Sequence, residues 1–230
     1  MITTVMIKNK NFLVYTNGCS FTSGAELDPE ADHNLEKQLA WPGQLGKILD
    51  APVINRSMGG ASQEQITLNS KEDLRKLKVN HKNILAIIQI TFPFRMLYPM
   101  GGNGEQIDHD ELWDSILVAE DYTDLNYKNA QNFLYQWNDL HIYTKYFNDI
   151  ENLINFCIVN EIKIFLLPIS NEDFPDYIKK YFFEDEFYWR EESKNNNPGG
   201  HPTLEEHILL AERLSKIPGS YKFKRQLPNF

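Results

Sequence analysis

Two side chains at opposite ends of the sequence have the chemistry to act together on a carbonyl group. Ser20 lies in a turn after an apolar run at residues 12–15, and His201 lies within Gly-Gly-His-Pro-Thr, just before an amphipathic segment. A serine hydroxyl is a weak nucleophile until a base accepts its proton, and histidine is the side chain that most often does so. The two residues are therefore a candidate nucleophile and base, although serine is also a common turn residue without any such role.

The other histidines have less informative surroundings. His81 and His109 lie in polar stretches, and His141 lies within a long helical pattern. His207 follows His201 by six residues, within the last predicted helix, where we expect it to face solvent or to pack locally. His201 is preferred as the base because a short loop at the start of a helix can project a side chain into a cleft.

The composition is that of a globular protein with one sizeable core. The chain has 230 residues, of which 42% are hydrophobic and 24% are charged, which is ordinary for such proteins. Its net charge of -9 argues against nucleic acid as a partner, because phosphate binding needs clustered Lys and Arg. A local basic group at residues 71–78 is interpreted as a solvated helix face.

The cysteines and the apolar runs bear on localisation. Cys19 and Cys157 are far apart and form neither a disulfide framework nor a zinc motif, so we expect a reducing, cytoplasmic location and no metal or other cofactor. Residues 1–10 lack the apolar stretch of a signal peptide. No run approaches the roughly 18 apolar residues of a membrane span, so no membrane association is expected.

Apolar runs alternate with amphipathic segments along the chain. The predicted strands are residues 12–15, 52–55, 83–90 and 162–167, and the predicted helices start near 41 and cover 63–77, 129–161 and 203–216. The near-continuous apolar run at 84–88 is typical of a strand buried on both faces of a parallel sheet. The alternation predicts a three-layer α/β/α domain with a mostly parallel sheet.

We expect a single domain over residues 1–230. Residues 92–128 form an irregular excursion rich in Pro and Gly, of the kind that serves as a lid or binding loop or is disordered. Residues 173–192 are predicted to hold one or two short helices, and residues 218–230 form a tail without a regular pattern.

Three turns are expected to meet at one edge of this sheet. They contain Ser20, within a predicted loop at residues 17–32, Gly60 after the second strand, and Thr91 after the third. Right-handed crossovers place the carboxyl ends of parallel strands along a common edge, where open α/β sheets bind their ligands. The three turns are therefore predicted to face one crevice.

Three short motifs together resemble the SGNH, or GDSL-type, hydrolase family. Residues 18–24 read Gly-Cys-Ser-Phe-Thr-Ser-Gly and are similar to the first block of the family, with Cys in place of the usual Asp. Residues 55–60, Asn-Arg-Ser-Met-Gly-Gly, resemble the second block, and residues 199–203 resemble the fifth, in which a His-Pro pair opens the last helix. The Trp-Pro pair at 41–42 is similar to a small intracellular subgroup often found in phage genomes.

The resemblance implies a flavodoxin-like SGNH architecture and a serine esterase or O-deacetylase that works through an acyl-enzyme. It implies Ser20 as the nucleophile, His201 as the base, and the backbone N–H groups of Ser20 and Gly60 as donors to the oxyanion. The implied substrate is a small-molecule or carbohydrate ester. A homo-oligomer is left open.

Three further residues are candidates for substrate binding. Thr91 stands about where the family has an Asn that donates to the oxyanion, and Gln89 and Arg95 are the alternatives for this position. Arg95 could pair with an anionic substrate or form a surface salt bridge.

The sequence departs from the family pattern at the acid that orients the histidine. The family has an Asp three residues before the histidine, where this chain has Pro198. Neutral substitutes are Asn197 and the loop carbonyls, and the available carboxylates are Asp173, Asp176, Asp185 and Glu205. The chain is therefore a Ser-His dyad, a triad completed from elsewhere, or a catalytically impaired module that binds an acylated or carbohydrate ligand. A nucleotide-binding domain is disfavoured, because no Walker A or G-x-G-x-x-G motif is present.

Overall fold

The central elements of the chain are strands and helices in alternation. A computed structural model describes residues 12–28, 32–99, 113–117, 139–170, 173–183 and 200–216. The described elements, in chain order, are β1 (Leu13–Asn17), α1 (Ser20–Ser23), α2 (His33–Leu39), α3 (Trp41–Leu49), β2 (Val53–Asn55), α4 (Gln63–Asn80), β3 (Ile84–Ile90), β4 (Arg95–Pro99), β5 (Trp113–Leu117), α5 (Asp139–Val159), β6 (Lys163–Pro168), α6 (Asp176–Lys179) and α7 (Leu204–Leu214).

Four parallel strands form the main sheet in the order β2-β1-β3-β6. β1 pairs with β2 on one side and with β3 on the other, and β6 pairs with the far side of β3. The strand order thus reverses direction between β1 and β3, and sheets of this kind bind ligands beside such a point, outside the carboxyl ends of the strands. The predicted α/β class with a parallel sheet is confirmed.

The side chains of the strands alternate between two cores, one on each face of the sheet. On β3, Ala86 and Ile88 pack in a core with residues of α4 and α5, whereas Leu85 and Ile87 pack in a core with residues of α3 and α7. This alternation follows from the two-residue period of a strand. Helices cover both faces, as in the predicted three-layer arrangement.

The segment around Ser20 and Trp41 differs from the prediction. Ser20 does not lie in a continuous loop, because it begins the single turn of α1. The helix expected near Trp41 is preceded by a second one: α2 ends at Leu39, Ala40 is extended, and α3 begins at Trp41. Pro42 explains the break, because proline fits the first turn of a helix but not its interior.

Part of the predicted irregular excursion is regular. β4 and β5 form an antiparallel pair between Arg95 and Leu117, so this stretch contains strands despite its prolines and glycines. The other parts of the predictions that concern residues 100–112, 118–138, 184–192 and 218–230 lie outside the described residues. The single-domain boundary stays a prediction.

The described residues contain neither a candidate membrane-spanning helix nor a candidate metal-binding cluster. No described helix combines the length and the apolar character that crossing a bilayer requires. No group of three or more His, Cys, Asp and Glu side chains in the described ranges is arranged to hold a metal ion.

Candidate active site

Ser20 and His201 meet next to the carboxyl end of β1. The Nε2 atom of His201 lies 2.9 Å from the Oγ atom of Ser20, although the two residues are 181 positions apart. This is hydrogen-bond distance for a hydroxyl and an imidazole, and it is the reach that a general base requires. Ser20 is 9% exposed and the His201 side chain 20% exposed, so the pair keeps limited contact with solvent.

Asn17, the last residue of β1, fixes the start of the turn at residues 18–24. We call this segment the nucleophile turn, because it contains the candidate nucleophile Ser20. Its buried side chain accepts a hydrogen bond from the Gly18 N–H at 2.8 Å and donates one to Ser70 Oγ on α4 at 3.0 Å. Cys19 then caps α1, and Ser20 is the first helical residue. The Ser20 N–H donates no hydrogen bond to any group among the described residues, as expected at the start of a helix.

Gln89, on the neighbouring strand β3, supports this turn from within the fold. Its Oε1 atom accepts hydrogen bonds from the Cys19 N–H at 3.3 Å and from Thr22 Oγ1 at 2.8 Å. The close approach depends on Gly18, because a Cβ atom there would lie 2.7 Å from the Cβ atom of Gln89. Gln89 is fully buried. The structure therefore places Gln89 beneath the turn that contains Ser20, whereas the sequence predicted a contact with substrate.

The second sequence motif packs against the same turn. The Met58 N–H donates to the Gly18 carbonyl at 3.1 Å, and Asn55 Nδ2 donates to the Thr22 carbonyl at 3.1 Å. Gly60 follows with a φ of 77°, a backbone conformation that glycine adopts at little cost. The loop that contains Gly60 is thus anchored to the nucleophile turn, and the role of Gly60 as a donor stays a prediction.

A capping box fixes the chain directly after His201. The Thr203 N–H donates to the Glu206 carboxylate at 2.6 Å, and the Glu206 N–H donates to Thr203 Oγ1 at 3.4 Å, as the sequence predicted. The ring of Phe21 lies 5.1 Å from the imidazole of His201, centre to centre. The position of the imidazole is therefore constrained by the last helix on one side and by an aromatic ring on another.

The Nδ1 atom of His201 faces Glu26. It lies 3.0 Å from Glu26 Oε2, which is ion-pair distance. The two groups lack the alignment of a hydrogen bond, and Nδ1 is otherwise buried without a hydrogen-bond partner among the described residues. Glu26 has a φ of 68°, an uncommon value for a residue other than glycine. Glu26 is not among the carboxylates that the sequence offered as the acid.

His207 is buried and joins the last helix to α3. Its Nδ1 accepts a hydrogen bond from the Trp41 N–H at 3.0 Å, and it caps a helix start at which Ala40 offers no side-chain acceptor. Burial, together with the nearby His201, lowers the pKa of His207 to about 3. The side chain is therefore neutral near pH 7. The sequence predicted that His207 either faces solvent or packs locally, and the structure shows that it packs locally.

Comparisons with known proteins agree with this architecture. No protein-family model matches the chain, and no curated protein matches it either. Its structure is similar to a lipolytic protein of the G-D-S-L family from Desulfitobacterium hafniense DCB-2 (TM-score 0.44, 15% identity, covering 90% of this chain and 99% of that chain). It is also similar to a catalytic mutant of an acetylxylan esterase from Geobacillus stearothermophilus (TM-score 0.45, 15% identity, covering 91% and 94%). This chain resembles the SGNH, or G-D-S-L, hydrolases in fold. 

The similar structures include members of the G-D-S-L family that the sequence motifs resemble. A third similar structure is a member of the lipolytic G-D-S-L family from Veillonella parvula DSM 2008 (TM-score 0.47, 11% identity, covering 91% and 100%). These values describe a general likeness of strands and helices and say nothing about a substrate. The phage-like subgroup and the cytoplasmic location stay predictions.

Two of the predicted substrate-binding residues, Thr91 and Arg95, lie after β3 and have limited exposure. Thr91 is fully buried, its N–H donates to Gln63 Oε1 at 3.2 Å, and its carbonyl accepts from Tyr146 Oη at 2.8 Å. Only its hydroxyl, which has no hydrogen-bond partner among the described residues, could serve as a donor. Arg95 lies with its guanidinium 5.6 Å from the ring centre of Phe92 and makes neither a hydrogen bond nor an ion pair with the Ser-His pair.

Three of the four carboxylates that the sequence offered as the acid do not pair with the imidazole, and the fourth is not described. Asp173, Asp176 and Glu205 make no hydrogen bond or ion pair with His201, and Asp185 lies outside the described residues. The carboxylates that the sequence offered all lie in the second half of the chain. The only sequence signal for Glu26 was its place in an acidic group shortly after Ser20.

Proposed function

We propose that this chain is a serine hydrolase that cleaves carboxylic esters through an acyl-enzyme on Ser20. The observation that carries the proposal is the 2.9 Å contact between Ser20 Oγ and His201 Nε2. In the first step, Nε2 accepts the hydroxyl proton while Oγ attacks the ester carbonyl, and the imidazolium then protonates the leaving alcohol. In the second step, the same nitrogen takes a proton from water, which attacks the acyl-enzyme. The imidazolium then returns this proton to Oγ, so that the carboxylic acid leaves and the Ser20 hydroxyl is regenerated.

The negative charge that develops on the carbonyl oxygen needs donors beside the nucleophile. We assign this role to the N–H groups of Ser20 and Gly60, with the Thr91 hydroxyl as a third donor. The Ser20 N–H has no other acceptor among the described residues, which supports its part in the assignment. Each such donor stabilises the transition state by about 3 kcal/mol.

The proposed substrate is a small-molecule or carbohydrate ester, and the reaction is that of an esterase or O-deacetylase. A serine-histidine pair of this geometry acts on an acyl carbonyl, and the alcohol part of the ester is set by residues around it. A panel of acetylated sugars and p-nitrophenyl esters of increasing acyl length would therefore define the specificity.

Covalent labelling tests the nucleophile directly. We expect a fluorophosphonate probe to modify the wild-type chain at Ser20, located by mass spectrometry, and p-nitrophenyl acetate to be hydrolysed. Ser20→Ala should abolish both, whereas Ser215→Ala, at a partly exposed serine that ends α7 and whose hydroxyl bonds to the Glu212 carbonyl, should change neither. Equal hydrolysis by wild type and Ser20→Ala would overturn the proposal.

The alternative of a catalytically impaired binding module is favoured by Pro198, which replaces the Asp of the family pattern. This alternative predicts tight binding of an acetylated sugar without turnover and without probe labelling. Calorimetry with an acetylated oligosaccharide, run beside the labelling assay, separates the two functions.

A further inference from the structure

The carboxylate of Glu26 reaches the side of His201 that faces away from the nucleophile. Nε2 of the imidazole lies 2.9 Å from Ser20 Oγ, and Nδ1 lies 3.0 Å from Glu26 Oε2. We infer that Glu26 is the positioning residue of this site and holds His201 in the tautomer that the reaction needs. The inference rests on the proposed function and extends it.

The two nitrogens of a neutral imidazole cannot both accept a proton. If Nδ1 carries the hydrogen, Nε2 is left as the acceptor for the Ser20 hydroxyl. Among the described residues, Glu26 is the only carboxylate within ion-pair distance of His201, and Nδ1 is buried with no hydrogen bond of its own. A small rotation of the Glu26 side chain would align its oxygen with the Nδ1–H bond and satisfy this group.

The backbone holds Glu26 next to the nucleophile. The N–H groups of Gly24 and Ala25 both donate to the Ser20 carbonyl at 3.1 Å, so the residues after α1 fold back over its end. Glu26 continues this tight turn with a φ of 68°. Unusual backbone conformations of this kind persist where the surrounding structure imposes them, and they cluster at functional sites.

The expected size of the effect follows from exposure. The Glu26 side chain is 54% exposed, so solvent screens its charge more than it screens a buried acid. Neutralising the buried acid of a well-studied serine protease lowers kcat by about 10⁴. For Glu26 we expect a smaller loss, of about 10- to 100-fold. His201 also contributes to the lowered pKa of His207 on α7, and His207 is unchanged in the variants below.

Two variants of Glu26 test the effect of its carboxylate while keeping the backbone conformation of the turn. Glu26→Gln keeps the shape and removes the charge, and Glu26→Gly suits the positive φ, because glycine adopts that region freely. Both should lower kcat for p-nitrophenyl acetate by about 10- to 100-fold with KM within about twofold of wild type. Added formate should restore part of the lost rate in Glu26→Gly, where there is room for it, but not in Glu26→Gln.

A matched control removes a carboxylate elsewhere. Glu72 lies on α4 and pairs with Lys76, and its side chain is 61% exposed. Glu72→Gln changes the net charge by the same amount as Glu26→Gln. Its kcat and KM should stay at the wild-type values, which would show that the loss in the Glu26 variants does not come from net charge.

A readout that does not need activity tests the contact itself. The ¹⁵N chemical shifts of His201 in wild type should report a proton on Nδ1, and Glu26→Gly should shift the ring toward a mixture of tautomers. Unchanged tautomer and kcat in both Glu26 variants, with Ser20→Ala inactive, would overturn this inference and leave the esterase proposal standing. A Glu26-dependent tautomer in a wild-type chain without activity or labelling would support the contact and overturn the esterase proposal.

Discussion

The space around Gly18 in the nucleophile turn has no room for a side chain. A Cβ atom at this position would lie 2.6 Å from Thr22 Oγ1 and 2.7 Å from the Cβ atom of Gln89. Gly18→Ala must therefore displace the turn or the strand that supports it, and overpacking of this kind costs about 1–3 kcal/mol. We expect the free energy of unfolding in urea to fall by about that amount. Ester hydrolysis should fall by about 100-fold, the effect of a 1 Å misplacement.

Gly59 provides the matched control for this substitution. A Cβ atom there has no neighbouring atom within 4 Å. Gly59→Ala should therefore leave both the urea midpoint and the hydrolysis rate close to wild type. Similar losses in the two alanine variants would show that the packing around Gly18 is not what holds the nucleophile.

The sequence singled out the Ser20–His201 pair, which the structure brings together, but not the carboxylate beside it. Ser20 and His201 stand out because each lies in a short glycine-containing motif at the start of a helix or turn. Glu26 has no such motif, and its contact depends on a positive φ and on a fold that brings it to a residue far along the chain. Neither condition can be deduced from residue types and spacing.

His207 couples the last helix to the start of α3 in a manner that depends on pH. The pKa of His207 is about 3 in the folded chain, compared with an ordinary value of 6.5. Between these values the unfolded chain binds a proton that the folded chain does not, so the free energy of unfolding decreases as the pH falls. The contribution of His207 is complete above pH 6.5 and is lost progressively toward pH 3.

Replacing His207 should therefore flatten the pH dependence of stability. We expect the slope of unfolding free energy against pH in His207→Gln to be smaller than in wild type by up to about 1.4 kcal/mol per pH unit below pH 6.5. Urea unfolding at a series of pH values measures this slope. His81→Gln, at the exposed end of α4, should keep the wild-type slope, and an unchanged slope in His207→Gln would contradict the assignment.

The elements that the sequence predicted well are those whose pattern is set by burial. The four strands of the main sheet are short apolar runs, and β3 in particular is buried along its whole length. The start of α3 at Trp41 agrees with the prediction, whereas α2 was not predicted, because only Leu35 and Leu39 mark it at helical spacing. The β4–β5 pair was missed because prolines and glycines in that stretch suggested an irregular loop.

The whole domain depends on a sheet that is packed on both faces. Ile88 is fully buried in the core that β3 shares with α4 and α5. Ile88→Ala leaves a cavity there, and we expect it to lower the free energy of unfolding by about 2–5 kcal/mol. Urea unfolding measures this change. Ile158→Ala, at a position 41% exposed on α5, should cost less than about 1 kcal/mol, and equal losses would contradict this account of the core.

The separation of 181 positions between the hydroxyl and its base has a consequence for biosynthesis. A ribosome adds roughly 5–20 residues per second, so a nascent chain carries Ser20 for roughly 10 to 40 seconds before the histidine is translated. During that interval Ser20 lacks the imidazole that the proposed reaction requires. If the proposed function is correct, acyl transfer begins only when His201 and α7 have docked beside Ser20, and a product that ends before His201 does not carry it out.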